Sequence, residues 1–322
     1  MRVLVTGGTS LIGGEVAARL RSRGDTAVLF QRRPGPVGYE HRIGDVTDAA
    51  AVTAVTAGVD AVVHLAAKVG IVGTWAEYEK VNIQGTANII AAAFAEGVER
   101  FVYVSSPSVA HAGVSLVGAG ADPADPEAAR GHYARSKAEA ELLALEASSP
   151  SFPVVALRPH LIWGPGDAQL VGRIVERARQ GRLATIGSGA ALIDTTYVTN
   201  AADAVIAGLD RAPAIEGRAF VVSNGQPRPV AELVNRIVRA AGLEPPSLRV
   251  PYRVARAGGA VAERVWGRIE RDGEPPMTSF LAEQLATAHW FDQRETRAAL
   301  QWEPAVSLEE GFTRLREWFS ER

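Results

Sequence analysis

Arg2-Val3-Leu4-Val5-Thr6-Gly7-Gly8-Thr9-Ser10-Leu11-Ile12-Gly13 opens the chain with an apolar run that breaks into a glycine turn and then into a helical pattern. The run Arg2–Thr6 reads as a buried strand. Glycines in the turn let the backbone bend tightly and approach a bound group closely. The helix beyond them offers unpaired N–H groups and a partial positive charge. A pyrophosphate suits such a junction, with Gly7, Thr9, Ser10, Leu11, Ile12 and Gly13 around it. A tight turn with no ligand would carry similar glycines. The position between a first strand and a first helix favours the pyrophosphate.

The same alternation continues outward. Ala27–Gln31, Ala61–Ala66, Phe101–Ser106 and Val154–Arg158 read as strands, and Gly13–Arg23, Asn82–Glu96 and Tyr133–Glu146 as helices. Apolar strands separated by helices predict an α/β fold, a doubly wound parallel sheet of the Rossmann kind. The second half is less regular, with amphipathic helices expected over Leu170–Gln180, Val230–Ala241 and Leu308–Phe319. Gly225–Pro229 reads as a turn and Gly273-Glu274-Pro275-Pro276 as a rigid loop. The expected organisation is a dinucleotide-binding domain over 1–159, to which 194–211 returns. A smaller, discontinuous C-terminal substrate domain would take 160–193 and 212–322.

Composition removes several classes of function. The chain has 322 residues and a formal charge of −2, so no global basic field exists to hold nucleic acid. It has no cysteine, which excludes disulfides, thiolate nucleophiles and Cys-ligated metals. The six histidines, at 41, 64, 111, 132, 160 and 289, show no metal-ligand spacing, and no metal site is expected. The strand pattern begins at once, leaving no room for a signal peptide, and no apolar run reaches the ~18 residues of a membrane span. A cytoplasmic protein is the expectation. Lysine occurs only at 68, 80 and 137, which makes each position informative.

The second strand ends at Gln31-Arg32-Arg33, where folds specific for NAD usually place an acid for the ribose hydroxyls. Two guanidinium groups suit a 2′-phosphate, so NADP(H) is the preferred cofactor and NAD(H) the alternative. Solvated loop arginines are the plainer reading. Asp45 would stand near the adenine amino group, with Val46 beside it. Leu65-Ala66-Ala67 would pack along the cofactor.

Tyr133-Ala134-Arg135-Ser136-Lys137 opens a helix, and the i, i+4 spacing puts Tyr133 and Lys137 on one face. A phenol titrates near pH 10, and a nearby ammonium is expected to lower that value. Ketone reduction needs such a group, to protonate the alkoxide that forms as hydride arrives. Ser105-Ser106-Pro107-Ser108 ends the preceding strand and supplies hydroxyls beside it. Tyr-x-x-x-Lys alone arises often by chance. The serine-rich strand end and the glycine turn make it specific.

With these residues in view, the chain resembles the extended short-chain dehydrogenases, within them the 3β-hydroxysteroid dehydrogenase-like branch. The resemblance spans nearly the whole length. It rests on Thr6–Gly13, Asn82-Ile83-Gln84-Gly85-Thr86, Ser105–Val109, Tyr133–Lys137 and Leu157–Asp167. Gly273–Thr278, Phe280–Leu285 and Asp194-Thr195-Thr196-Tyr197 resemble more narrowly the 2-alkyl-3-oxoalkanoate reductases of bacterial long-chain olefin biosynthesis. The resemblance implies Tyr133 as proton donor and Lys137 as holder of the nicotinamide ribose. It implies Ser106 as orienter of the carbonyl, with Ser105 or Ser108 as alternatives. Asn82 would be a supporting polar group, unless it is a helix N-cap, and Pro159 would flank the nicotinamide. It further implies a homodimer through Asn82–Glu96 and Tyr133–Glu146, and association with a β-lactone synthetase and a β-lactone decarboxylase. Two departures stand out. Ser10 replaces the middle glycine of the turn, and the loop after Ser108 is rich in small residues.

On the substrate side, His160-Leu161-Ile162-Trp163 is mostly apolar where sugar-nucleotide epimerases carry polar groups. Trp163, Trp266, Phe280 and Trp290 add bulk and together point to a small lipid-like substrate, although each one singly reads rather as core. Tyr252–Ile269 reads as a basic amphipathic helix of the kind that lies on anionic membranes. The packed-helix reading is preferred, because Gly258 and Gly259 weaken the helix. The expected activity is NADPH-dependent reduction of a long-chain 2-alkyl-3-oxoalkanoate. A 3β-hydroxysteroid or sterol dehydrogenase and a silent NADP-sensing protein are the rivals.

Overall fold

The computed structural model describes residues 1–70, 73–110, 113–266 and 277–322. Seven parallel strands form the central sheet: β1 (Arg2–Thr6), β2 (Thr26–Gln31), β3 (Glu40–Ile43), β4 (Ala61–His64), β5 (Arg100–Val104), β6 (Val154–Pro159) and β7 (Arg218–Val222). Their spatial order is β7-β6-β5-β4-β1-β2-β3. The order reverses beside β1, which opens a crevice at the carboxyl ends of the strands. This is a Rossmann sheet, as its strand pattern predicts. Two of its strands escaped the periodicity. β3 is a polar edge strand, Glu40-His41-Arg42-Ile43, with no apolar face to betray it. β7 pairs with β6 from a segment assigned by its sequence to the substrate side.

Helices cover both faces because the strands are apolar on both. On one face α1 (Leu11–Ser22) lies beside a helix over Val198–Arg211. Val16 and Leu20 meet Val205, Leu209 and the inner side of β1. On the other, α2 (Gly85–Ala95) and α3 (Gly131–Glu146) bury Ile89, Ile90, Ala140 and Ala144 against Val62, Phe101 and Val154. The helix expected over 82–96 is interrupted: Glu79–Gln84 forms a π-helical turn, with Asn82 inside it.

The remaining chain builds a layer over the strand ends. A small sheet joins Leu116–Ala119 to His289–Phe291, Leu192–Ile193 and Arg228–Pro229, so segments distant in sequence share one wall. Helices Val171–Arg179, Val230–Ala240 and Leu308–Ser320 enclose Trp163, which stacks on Phe312 at 4.6 Å. Trp163 is therefore core. The helix expected over Tyr252–Ile269 is Tyr252–Trp266, here α4; Arg268, Ile269 and Gly273–Pro276 lie outside the described residues, as does His111. Gly259 is a close approach rather than a weakness. A Cβ there would come within 2.4 Å of the Thr278 carbonyl carbon, where α4 crosses α5 (Ser279–Ala286). The preferred packed-helix reading is only partly right, since α4 leaves Val254, Val261 and Val265 exposed. No described helix is long and apolar enough to cross a membrane.

Candidate active site

The glycine turn closes as its residues require. Gly7 sits at φ +73°, and a Cβ on it would lie 3.1 Å from Ala66 N. A Cβ on Gly13 would lie 2.5 Å from Gly7 O. Ser10, the departure from the glycine pattern, caps α1: its Oγ accepts from Gly13 N at 3.1 Å and donates to Gly7 O at 2.8 Å. The hydroxyl is thus occupied within the turn and leaves the remaining N–H groups of the first helical turn facing outward. Thr9 is exposed, Leu11 half-buried and Ile12 buried. The backbone at Leu65 and Ala66 lies against Gly7. A pyrophosphate fits this cradle.

At the end of β2, Gln31 is buried, and its Oε1 has no partner among the described residues. His41 explains the orientation. Its Nε2 lies 2.8 Å from Pro36 O, which can only accept, so Nε2 carries the proton and Nδ1 accepts from Gln31 Nε2 at 3.1 Å. The amide oxygen is left as an acceptor beside Gly8, suited to a ribose hydroxyl. Arg32 and Arg33 are exposed and unpaired among the described residues. Asp45 Oδ1 accepts from Thr47 N at 2.9 Å, which ties it to its own loop. Val46 is buried against the start of α2, and Ala67 is half-buried.

A buried hydrogen-bond chain runs from this turn to the helix of Tyr133. Thr6 Oγ1 accepts from Leu65 N and Ala66 N, and donates to His64 Nδ1 at 2.7 Å. His64 Nε2 donates to Thr86 Oγ1 at 3.1 Å, and Thr86 donates to Asn82 O at 2.6 Å. Because that carbonyl can only accept, every proton in the chain has one direction. Asn82 is no N-cap. Its Oδ1 accepts from Lys68 N at 2.7 Å, and its Nδ2 donates to Lys68 O and, at 2.8 Å, to Ser136 Oγ. Ser136 donates to Tyr133 O at 3.0 Å. His64, Thr86 and Ser136 are the residues that sequence reading missed. A polar His ending an otherwise apolar strand was the available signal.

Burial and the charge of Lys137 hold the His64 imidazole down at about 3, so it stays neutral at any ordinary pH. Between that value and 6.5 the unfolded chain binds a proton that the folded chain does not, so stability falls as pH falls through this window. The expected slope is about 1.4 kcal/mol per pH unit. Comparing urea unfolding of the wild type with His64→Gln isolates it from the carboxylates. The stability advantage of the wild type is expected to shrink by about 2 kcal/mol between pH 7 and pH 5; an unchanged gap would remove His64 from the acid response.

Tyr133, Ser106, Ser108 and Pro159 line one cavity of about 770 Å³. Ser106 Oγ lies 2.9 Å from Ser108 Oγ, and its hydrogen bond to Tyr133 favours the phenolate. Ser105 is buried outside that wall. Lys137 follows on the same helix, buried, its Nζ donating to Val104 O at 2.7 Å and standing 4.1 Å above the Tyr103 ring. The expected sign of the phenol shift is wrong. Burial pushes Tyr133 above 10, outweighing the Ser106 hydrogen bond, while Tyr78 pushes it further up. Burial also pulls Lys137 down to about 7, against the opposing charge of Glu141. Desolvation penalises both charged forms and outweighs the Ser106 hydrogen bond at one and the Glu141 charge at the other.

The rest of the cavity wall is largely apolar. Trp266 and Phe280 contribute to it with Leu116, Leu161, Leu281 and Phe291. Trp290 instead packs over Gly118, so two of the four bulky residues expected at the substrate face it. Leu161 holds φ +41°, a strained value for a branched side chain, and projects from the turn after Pro159.

Residues 33–252 match the 3-beta hydroxysteroid dehydrogenase/isomerase family. The chain belongs to that family. Its members are NAD(P)-dependent oxidoreductases of the extended short-chain dehydrogenase type, and so is this protein. A 2-alkyl-3-oxoalkanoate reductase of Stenotrophomonas maltophilia is 43% identical over 325 residues, covering 98% of each chain. A decarboxylating sterol-4-alpha-carboxylate 3-dehydrogenase of Schizosaccharomyces pombe is 34% identical over 247 residues, covering 75% of this chain and 72% of that one. Among solved structures, MoeE5 in complex with UDP-glucose and NAD superposes with a TM-score of 0.76 at 25% identity, covering 100% of this chain and 99% of the other. The family's dinucleotide is thus matched by a cradle, an orphaned acceptor and a crevice that can take it.

Proposed function

We propose that this member of the family reduces the 3-oxo carbon of a long-chain 2-alkyl-3-oxoalkanoate with NADPH, with Tyr133 as the proton donor. The observation that carries the reading is the cavity: its wall sets the Tyr133 phenol and the Ser106 hydroxyl among Trp266, Phe280, Leu116 and Leu281. Such walls suit alkyl chains beside one reacting carbonyl. The names of the two relatives agree in chemistry, since each describes a carboxylate with oxygen on the adjoining carbon but one.

Gly7, Thr9, Ser10, Leu11, Ile12 and Gly13 would hold the pyrophosphate, with Asp45 and Val46 near the adenine and Leu65, Ala66 and Ala67 along the cofactor. The bound nicotinamide supplies the hydride. Ser106 orients the substrate carbonyl toward Tyr133. The raised phenol pKa keeps the proton on Tyr133 at neutral pH, which favours donation to the forming alkoxide over abstraction from an alcohol. Lys137 stands one turn behind as the group toward the nicotinamide ribose, and Pro159 flanks the ring. Asn82 fixes Lys68 and Ser136, and through them the start of the helix. NADPH oxidation with a long-chain 2-alkyl-3-oxo acid, set against a 3-oxosteroid, tests the reading. Turnover of the steroid alone overturns the substrate.

Arg32 and Arg33, exposed and unpaired among the described residues beside the Gln31 acceptor, support NADPH over NADH. Arg32→Ala/Arg33→Ala is expected to raise KM for NADPH roughly tenfold or more while KM for NADH barely moves. Equal changes for both cofactors would assign the arginines to solvent. A homodimer through α2 and α3 is the assembly this reading implies, and exposed Phe94 and Leu142 on those helices support it. Phe94→Asp with Leu142→Asp is expected to halve the mass seen by light scattering; a wild type already at monomer mass would end the idea. The 3-hydroxy acid product has the chemistry that β-lactone synthetase, followed by β-lactone decarboxylase, would consume.

A further inference from the structure

A 3-oxo acid brings a negative charge into this cavity, and the mechanism above gives that charge no partner. Among the described lining residues Arg130 is the only arginine or lysine. It is the N-cap residue of α3, three positions before Tyr133. Both residues stand at the start of this helix and line the same cavity. The carboxylate and the carbonyl of a 3-oxo acid are separated by a single carbon, so one substrate can reach both groups.

The guanidinium is already paired with a carboxylate: Arg130 Nη1 donates to Glu283 of α5 at 2.7 Å. The Arg130 side chain is 51% exposed, and ion pairs in such settings contribute little, so exchange of one carboxylate for another is cheap. The Gly113 backbone packs against the guanidinium and fixes where it sits; a Cβ there would lie 2.2 Å from Arg130 Cζ. Several of the other polar groups on the wall are committed. Glu263 accepts from Ser279 N at 2.8 Å and from its Oγ at 2.9 Å. His160 and His289 are buried and engaged by Asp194 O and Thr287. Without Arg130, an entering carboxylate would meet the acids Glu263 and Glu283.

We propose that Arg130 binds the substrate carboxylate, and that Glu283 is an internal stand-in which the substrate displaces. This makes the cavity selective for 3-oxo acids over neutral ketones of the same length, and it rests on the reading of the site as a 3-oxo acid reductase. The test is steady-state kinetics on a 2-alkyl-3-oxo acid and on its methyl ester, for wild type, Arg130→Gln, Arg130→Lys and Glu283→Gln. Arg130→Gln is expected to raise KM for the acid roughly ten- to a hundredfold and to leave the ester within about twofold. Arg130→Lys is expected to restore part of the loss. Glu283→Gln is expected to lower KM for the acid, because the competing carboxylate is gone, with the ester unchanged. Parallel losses on acid and ester in Arg130→Gln, or a higher acid KM in Glu283→Gln, would overturn the assignment of Arg130 while leaving the reductase intact. A wild type that binds NADPH and reduces neither compound would overturn the reductase reading, and this inference with it.

Discussion

Tyr133→Phe is expected to cut turnover by three orders of magnitude or more while NADPH binds as before. The change removes one oxygen from a helix held by Ser136, Asn82 and the packing of α3, none of which uses the phenol. Proton delivery by a positioned acid contributes roughly 10²–10⁴-fold. Here the acid is also the only described phenol joined to Ser106, so its removal leaves the carbonyl with the serine alone. Stopped-flow reduction with pre-bound NADPH separates chemistry from binding. The slow step must lie in hydride transfer with an unchanged cofactor Kd. A variant that keeps wild-type turnover would defeat the assignment of Tyr133. The raised phenol pKa adds a pH signature. Reduction is expected to draw on a proton that Tyr133 keeps at neutral pH, and oxidation of the 3-hydroxy acid with NADP⁺ to be the slower direction there.

Glu141→Gln is expected to be the most destabilising single change near the site. Glu141 and Arg158 are both fully buried, and the carboxylate accepts from Arg158 Nε at 2.9 Å and from its Nη2. Arg158 Nη1 also donates to Asp122 O at 2.7 Å. Removing one charge strands the other in the interior, which typically costs about 3–5 kcal/mol. Removing both is expected to cost less: Glu141→Leu/Arg158→Leu should unfold at higher urea than Glu141→Gln. If the single change proves the milder one, the pair is not what holds this wall. Glu141 also supports the Lys137 ammonium against burial, so its loss lowers Lys137 below about 7. Activity that needs the ammonium should then decline at a lower pH on its alkaline side.

Much of this site was legible because its parts are local. The Arg2–Gly13 junction, the Tyr133–Lys137 spacing and the hydroxyls at 105–108 each depend on a strand, a turn or one helical repeat. Ser10 was legible as a departure, but its effect was not. Only the closed turn shows its hydroxyl spanning Gly13 N and Gly7 O. Asn82 was legible as polar and supporting, yet its π-turn and its hold on Lys68 required the fold. β3 and β7 were missed for opposite reasons, one too polar to show a strand pattern and the other too far along the chain from its partner.

The sequence by itself determined the sheet, the glycine turn and the facing of Tyr133 and Lys137, because hydrophobic period and helix geometry act over a few residues. Tertiary structure decided the rest. It placed Trp266 and Phe280 in the cavity and Trp163 in the core, and it joined Thr6, His64 and Thr86 into one directed chain. It also brought Arg130 to Glu283, 153 residues away. It reversed the expected sign at Tyr133, since the pKa of a phenol follows how much water the whole fold removes from it, and spacing along one helix carries no record of that.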